Sequence, residues 1–382
     1  MIPYGRQTIS DDDIHCVQEV LRSDWLTQGP AIELFEKAVA NYCQAQHAVA
    51  ISNATSALHI ACQALDLGQN DYVWTSPNTF VASANCALYC GANIDFVDID
   101  PCTYNMCPEA LEKKLEWAKK NNKLPKIVIP VHFSGQPCNM QAIKALSKKY
   151  HFFIIEDASH AIGATYLNTK IGDCSYSDIA IFSFHPVKII TTGEGGMILT
   201  NHSDIYQKLL LLRSHGITRN PKYMMGESDG EWYYQQIDLG YNYRMTDIQA
   251  ALGNSQLKKL DTFIERRRLL ANRYNSALSK LPLLLPWQHP DGQSAWHLYV
   301  IQLLEPTRRK EIFNTLHQAG INVNVHYIPV HTQPFYQQLG FKIGDFPQAE
   351  QYYQRIISLP LYFSLQDDEQ EYIIETLKKA LQ

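Results

Sequence analysis

Seven short apolar runs, rich in Val and Ile and free of polar alternation, constrain this chain more than any other feature. They are AVAISN (48–53), DYVWTSP (71–77), NIDFVDID (93–100), KIVIPVH (126–132), FFIIEDA (152–158), DIAIFSF (178–184) and GMILTN (196–201). A strand with one solvated face alternates, so runs that do not alternate suit strands covered on both faces. The intervening TSALHIACQALDL (55–67) and MQAIKALSKKY (140–150) carry apolar residues at three- and four-residue intervals, as crossover helices packed on a sheet do. The pattern predicts a doubly wound α/β sheet.

At 382 residues the chain exceeds one ordinary core; at roughly 100 to 200 residues per domain it divides into two. Past Asn201 the texture changes. A long helical pattern runs from Thr246 to about Leu281 and contains Glu265, Arg266, Arg267 and Arg268; the Pro-rich LPLLLPWQHPDG then marks a boundary. A strand-like WHLYVIQLL (296–304) and helices near 307–319 and 367–380 predict a smaller α+β domain. The expected division is 1–245 for a large α/β domain with an N-terminal segment, and 246–382 for a linking helix and the small domain.

Composition narrows the function classes. Hydrophobic residues make up 46%, charged residues 19%, and the formal net charge is -5, so there is no basic surplus for a nucleic-acid backbone. The start, MIPYGRQTISDDD, lacks the cationic end and apolar core of a secretory signal. No later run approaches the roughly 18 apolar residues that span a bilayer. A cytoplasmic protein with neither nucleic-acid nor membrane partners is expected. Nine cysteines lie between Cys16 and Cys174 without a CxxC pair. Cys86 and Cys90 are four apart, Cys102 and Cys107 five, but no histidine cluster joins them at zinc-site spacing. They read as small buried hydrophobes in a reducing compartment, with no metal.

Ligands of open parallel sheets sit beyond the carboxyl ends of the strands, so polar residues closing an apolar run are the candidates. In SNATSA (52–57) a strand passes into a helix through Thr55 and Ser56. Free backbone N–H groups and the helix dipole there favour a phosphate, although Thr and Ser also begin helices simply as caps. EDASHA (156–161) leaves Asp157 at the mouth of a central strand. A carboxylate there needs a partner, either a structural Lys or Arg or the cation of a ligand. SFHPVKIITTGEGG (183–196) brings Ser183, His185 and Lys188 to a third strand end. Lys188 is either a surface lysine reaching water or, if desolvated, an amine nucleophile able to form a Schiff base. The glycines that follow allow the chain to turn close beneath a flat ligand. A phosphate cradle, a carboxylate for a pyridinium proton and an imine-forming lysine are together the requirements of pyridoxal 5'-phosphate.

With these residues in place, the chain resembles the sugar-nucleotide aminotransferases of the DegT/DnrJ/StrS type. The likeness runs through LTQGP (26–30), SNATSAL (52–58), TSPNTFVASAN (75–85), EDASHAIGA (156–164) and FSFHPVKIITTGEGG (182–196). It continues through RSHG (213–216), GYNYRMTDIQAALG (240–253) and VHYIPVH (325–331). It implies fold type I of the pyridoxal phosphate enzymes, the aspartate aminotransferase-like fold: a seven-stranded, mostly parallel sheet plus a smaller C-terminal α+β domain. It implies Lys188 as the Schiff-base lysine, Asp157 on the pyridine nitrogen and Phe80 stacked on the ring. Thr55, Ser56 and Ser183 would hold the phosphate or nearby oxygens. His160 stands where many members have glutamine, close to the ring and its phenolic oxygen. Asn242 matches the asparagine that reaches the cofactor of the neighbouring subunit, which implies a homodimer.

The resemblance also carries a substrate class. Over the IPYGRQ start, SDWLTQGP and HYIPVHTQPFYQQLGF it is to the branch that aminates a UDP-linked 4-keto-6-deoxy N-acetylhexosamine in pseudaminic acid synthesis, with L-glutamate as donor and 2-oxoglutarate as product. Tyr4, Gln28, His326 and Tyr327 lie in segments expected to touch the sugar nucleotide, or else to pack as ordinary loop residues. A dehydratase branch has histidine where this chain has Lys188, so amination is expected rather than dehydration. Amination of another UDP- or dTDP-linked keto sugar, and a regulatory protein without turnover, are the alternatives.

Overall fold

A computed structural model describes all residues, 1–382. The seven predicted runs each form a strand: β1 (His47–Ile51), β2 (Tyr72–Thr75), β3 (Asn93–Phe96), β4 (Ile127–Ile129), β5 (Phe153–Asp157), β6 (Ile179–Ser183) and β7 (Gly196–Thr200). They make one seven-stranded sheet in the order β1-β7-β6-β5-β4-β2-β3. Pairing is parallel from β3 through β6, and β7 alone runs against its two neighbours.

The helices that cover the sheet explain the unbroken apolar runs. On one face lie Phe35 and Val39 of α2 (Pro30–Cys43), Leu111 and Leu115 of a helix at Pro108–Lys120, and Ile143 and Leu146 of a helix at Met140–Tyr150. They pack with Val128, Ile154, Ala180 and Phe182. On the other face, α3 (Ala54–Ala64), α4 (Ala82–Tyr89) and a helix at Ser203–Arg213 pack on Ile127, Ile155, Ile179 and Ile181. Alternate strand residues therefore enter two different cores, and both sets are apolar. The helix expected over 55–67 stops at Ala64, because Asp66 takes a left-handed conformation (φ 56°) ahead of Gly68.

The helical pattern expected from Thr246 to Leu281 divides into Asp247–Leu257 and Leu260–Leu278. At the break Lys259 turns its ammonium onto Asp13, 2.8 Å away in α1 (Asp11–Leu21). Phe263 and Ile264 of the second piece join the core of the sheet, while Leu270, Tyr274 and Leu278 enter a separate cluster. That cluster contains a three-stranded antiparallel sheet, Leu283–Leu284, Tyr299–Leu303 and Ile356–Leu359, with helices at Arg309–Gln318 and Asp367–Leu381. No helix is long and apolar enough to cross a membrane.

Candidate active site

The carboxyl ends of β1, β5 and β6 open on one cavity of about 860 Å³. Of the residues singled out in the sequence, Thr55, Ser56, Phe80, Asp157, His160, Ser183, Lys188, Tyr4, His326 and Tyr327 line it. Gln28 and Asn242 do not: both are exposed. Gln28 Nε2 donates to the Met245 carbonyl at 3.0 Å, and Asn242 pairs with Ser214 next to Tyr243, itself a wall of the cavity.

At the β1 end, the cap of α3 is Asn53, whose side chain accepts from Ser56 N at 2.8 Å. Thr55 and Ser56 stand inside the first turn, so capping does not account for their hydroxyls. The first-turn amides of α3 lack intrahelical acceptors and carry the positive end of the helix dipole towards the cavity. Gly196 brings β7 against this turn: a Cβ there would lie 2.9 Å from Ala54 N. Gly193 takes the left-handed conformation (φ 81°) that turns the preceding loop.

Asp157 ends β5, opposite Ile181 of β6, and is buried. No lysine or arginine forms an ion pair with it. Ser83 Oγ donates to its Oδ2 at 2.6 Å, and Ser159 N to its Oδ1 at 3.1 Å. Thr79 Oγ1, a further cavity residue, lies 2.8 Å from Ser83 Oγ. The carboxylate is thus fixed by two neutral donors and keeps lone pairs free for a third.

Lys188 follows β6 and is half-buried at the cavity, with no ion-pair partner. Burial draws its pKa down to about 8, against the opposing pull of Asp157. Burial thus favours its neutral amine more than in an ordinary exposed lysine. Phe80 is 58% exposed and lines the mouth of the cavity, its ring centroid 6.5 Å from that of Tyr327.

Three buried imidazoles complete the lining. His160 Nδ1 accepts from Ser134 N at 3.2 Å, so its proton sits on Nε2, which faces Tyr327 Oη at 3.2 Å. His297 lies against it, ring centroids 4.3 Å apart. His326 Nδ1 is 2.8 Å from Ser358 Oγ. Burial first and the Lys188 charge second hold His326 down to about 3, and the same two influences hold His160 well below the usual histidine range. Burial, with His160 and Lys188 adding to it, does the same to His297. All three are neutral around the lysine, so they add no positive charge to compete for a bound anion.

Among the lining residues that carried no role in the sequence reading are Thr79, His59, Tyr243 and His297. Ser83, behind the wall, was missed with them. TFVASAN held a usable signal in its two hydroxyl residues, Thr79 just before α4 and Ser83 in its first turn. His297 opens the WHLYVIQLL run, where strand periodicity masked it.

Comparison with known proteins agrees with this geometry. The sequence profile of the DegT/DnrJ/EryC1/StrS aminotransferase family matches residues 7–378. The spore coat polysaccharide biosynthesis protein SpsC of Bacillus subtilis is 42% identical over 383 residues, 99% of this chain and 96% of that protein. The UDP-4-amino-4,6-dideoxy-N-acetyl-beta-L-altrosamine transaminase of Campylobacter jejuni is 37% identical over 385 residues, covering 100% of this chain and 98% of the relative. Among solved structures, Helicobacter pylori PseC, an aminotransferase involved in the biosynthesis of pseudoaminic acid, superposes with a TM-score of 0.91 at 32% identity. That match covers 100% of this chain and 99% of the other. With a match over nearly its whole length and a cavity of this composition, the chain belongs to the DegT/DnrJ/EryC1/StrS aminotransferase family.

Proposed function

We propose that the chain is a pyridoxal phosphate-dependent aminotransferase of a nucleotide-linked 4-keto sugar. The substrate we assign is UDP-2-acetamido-2,6-dideoxy-β-L-arabino-hex-4-ulose, with L-glutamate as amino donor and UDP-4-amino-4,6-dideoxy-N-acetyl-β-L-altrosamine as product. The observation that carries the reading is the convergence on one cavity of Lys188 and Asp157, neither held in an ion pair by the protein, and the first turn of α3. The Campylobacter relative supports the choice of sugar.

Pyridoxal phosphate, when bound, supplies an electron-withdrawing ring through which an amino group passes between two substrates. The residues present fit it. Thr55, Ser56, Ser183 and the amides of α3 hold the phosphate, Asp157 the ring nitrogen, and Phe80 a ring face. His160 would stand close to the ring and its phenolic oxygen, its plane fixed by Ser134 N and Tyr327. Lys188 Nζ is the attachment point and the group that moves protons. With its pKa near 8, roughly a tenth of it is neutral amine at pH 7, far more than an ordinary lysine offers. Tyr4, His326 and Tyr327 form the wall towards the sugar nucleotide, and burial raises the pKa of the Tyr4 and Tyr327 phenols, so both remain proton donors. Gln28 stands outside this wall and takes no part in the proposal. Asn242, exposed beside Tyr243, is free to meet a second copy, and we assign it to the phosphate of the neighbouring site in a homodimer. The nine cysteines are all free, which supports a reducing compartment, and the proposal sets the reaction in the cytoplasm.

The higher identity to the spore coat polysaccharide protein favours, as a second reading, a different nucleotide-linked keto sugar. Incubation with glutamate and a panel of UDP- and dTDP-linked keto sugars, with the product identified by NMR, separates the two. Amination of the assigned hexulose is expected. Amination of another sugar alone transfers the assignment to it, and failure with all of them, together with no response of the bound cofactor's absorbance to glutamate, favours a regulatory protein.

A further inference from the structure

The buried face of the helix Leu260–Leu278 carries a single charged side chain, Arg267. Ile264, before it, packs in the core of the sheet, while Leu270 and Ala271, after it, pack in the C-terminal cluster. Arg267 therefore sits where two cores meet, 2% exposed. Its neighbours Arg266 and Arg273 pair with Asp367, but no carboxylate pairs with Arg267. Its Nη1 donates instead to the carbonyls of Leu361 at 2.9 Å, Trp296 at 3.2 Å and His297 at 3.3 Å, and its Nε is buried without a partner. Burial lowers its pKa to about 10, which leaves it charged at neutral pH. Two of these carbonyls belong to a strained stretch. Trp296 is left-handed (φ 50°), a conformation that bulky side chains rarely adopt. The turn sends Ala295, Trp296 and Leu298 into three different clusters, and between them His297 lines the cavity with its ring against that of His160. Across from it stands Ser134, also left-handed (φ 62°), whose carbonyl accepts from His297 N at 2.9 Å and whose own N donates to His160 Nδ1. His297 is thus held by Ser134 through its N–H and by Arg267 through its carbonyl.

We propose that Arg267 is a positioning residue for the reaction in this cavity: by holding the carbonyls of Trp296 and His297 it fixes the left-handed turn that aims the His297 ring at the bound sugar. The inference rests on the reading of the cavity given above. Two costs meet at this one place. An ionised side chain taken out of water without a counter-charge is expensive, and a well-packed apolar side chain of similar volume would fill the space at lower cost. A left-handed tryptophan is strained as well, and such strain persists where the surroundings over-determine it, characteristically beside functional sites. The guanidinium suits the task because its planar fork presents donors in fixed directions, whereas an ammonium is a point charge on a flexible stem. The Leu361 carbonyl anchors the fork to the C-terminal cluster, so the fork links that cluster to the cavity wall. After burial, His160 and Lys188, the Arg267 charge also helps to keep His297 neutral, so that His297 meets the substrate as an uncharged hydrogen-bonding group.

Hydrogen exchange of the holoenzyme is followed by peptide mass spectrometry in the unaltered chain and in Arg267→Lys, which keeps the charge but loses the fork. The amides of Ala295, Trp296 and His297, bonded to the Gly135 carbonyl, Ser294 Oγ and the Ser134 carbonyl, report on the turn. They are expected to exchange at least about tenfold faster in the variant, with the strands of the large sheet unchanged. Kinetics with the UDP-linked keto sugar then show what the turn serves. Arg267→Lys and His297→Gln are each expected to lower kcat/KM for the sugar about tenfold, and the double variant by about the same tenfold instead of about a hundredfold, since changes that act through one another do not add. Unchanged exchange at the turn, equal acceleration throughout the chain, or losses that multiply in the double variant overturns the proposal. Should an Arg267 variant fail to fold, His297→Gln alone decides: sugar turnover within about twofold of the unaltered chain leaves Arg267 nothing to act through. Exchange needs no substrate, so a failure to aminate any sugar refutes the reading of the cavity while the turn is still judged by its amides.

Discussion

The two walls of the cavity are built differently. The sheet wall sets Asp157 and Ser183 in backbone ladders, opposite Ile181 and Gly196, and carries Asn53 to Ser56 and Lys188 on the helix start and turn that follow strand ends. The C-terminal wall, His297 and Asn324 to Tyr327, has backbone ties at an isolated bridge of Asn324 to Ser358 and from His297 N to the Ser134 carbonyl, and otherwise leans on side-chain bonds. These are Tyr327 to His160 at 3.2 Å, His326 to Ser358 at 2.8 Å and Ser134 Oγ to the Leu298 carbonyl at 2.7 Å. A ladder resists change at any one residue. A single neutral side-chain bond contributes only about 1 kcal/mol, so the second wall can be reshaped by a few substitutions. The contrast fits a catalytic wall suited to one chemistry and a substrate wall open to many sugars.

Four experiments break or sharpen that contrast. Lys188→Ala on the sheet wall should lower turnover by at least about a thousandfold, since it removes the proton-moving amine. Its thermal stability should hold or rise, because a buried ammonium goes with it; a stopped-assay measurement beside a thermal melt checks both. Ser83→Ala removes one of the two donors to Asp157. A bond to a charged group is worth about 1.5 to 3 kcal/mol, so kcat should fall roughly ten- to a hundredfold. KM for the sugar should stay put, and Ser83→Thr should recover much of the loss. Tyr327→Phe, on the other wall, should change kcat/KM for the sugar by only about fivefold and leave the half-reaction with glutamate nearly untouched. An equal loss in both half-reactions would erase the distinction between the walls.

The smallest effect concerns pH. His160, His297 and His326 have native pKa values below the usual 6.5. Between that value and the native ones the unfolded chain binds more protons, so stability is full above about pH 6.5 and falls as pH falls. The melting temperature of His160→Gln should therefore drop less than that of the unaltered chain between pH 7 and pH 5. A parallel decline would mean that His160 is not buried neutral.

All seven sheet strands were legible because both faces are covered, which removes the polar alternation that otherwise confuses strand with loop. Strand ends then led to Thr55, Ser56, Asp157, Ser183 and Lys188. What escaped was set by distant partners. The break before Leu260 depends on Asp13, about 250 residues away along the chain, to which Lys259 turns. Helices α1 and α2 were not anticipated, although Asp247 on a later helix accepts from Gly29 N at 2.9 Å and so caps α2 from outside. Ser83 and His297 act through neighbours that only the fold supplies. Of the alternatives that residue types left open, the cap reading at Thr55 was removed by finding that Asn53 already does the capping.

The claim on which the rest stands is that Lys188 carries the cofactor. Borohydride reduction of the enzyme with pyridoxal phosphate bound, followed by digestion and peptide mass mapping, should place the reduced cofactor on the peptide containing Lys188 and nowhere else. A cofactor mass on another lysine, or on none, would contradict the account.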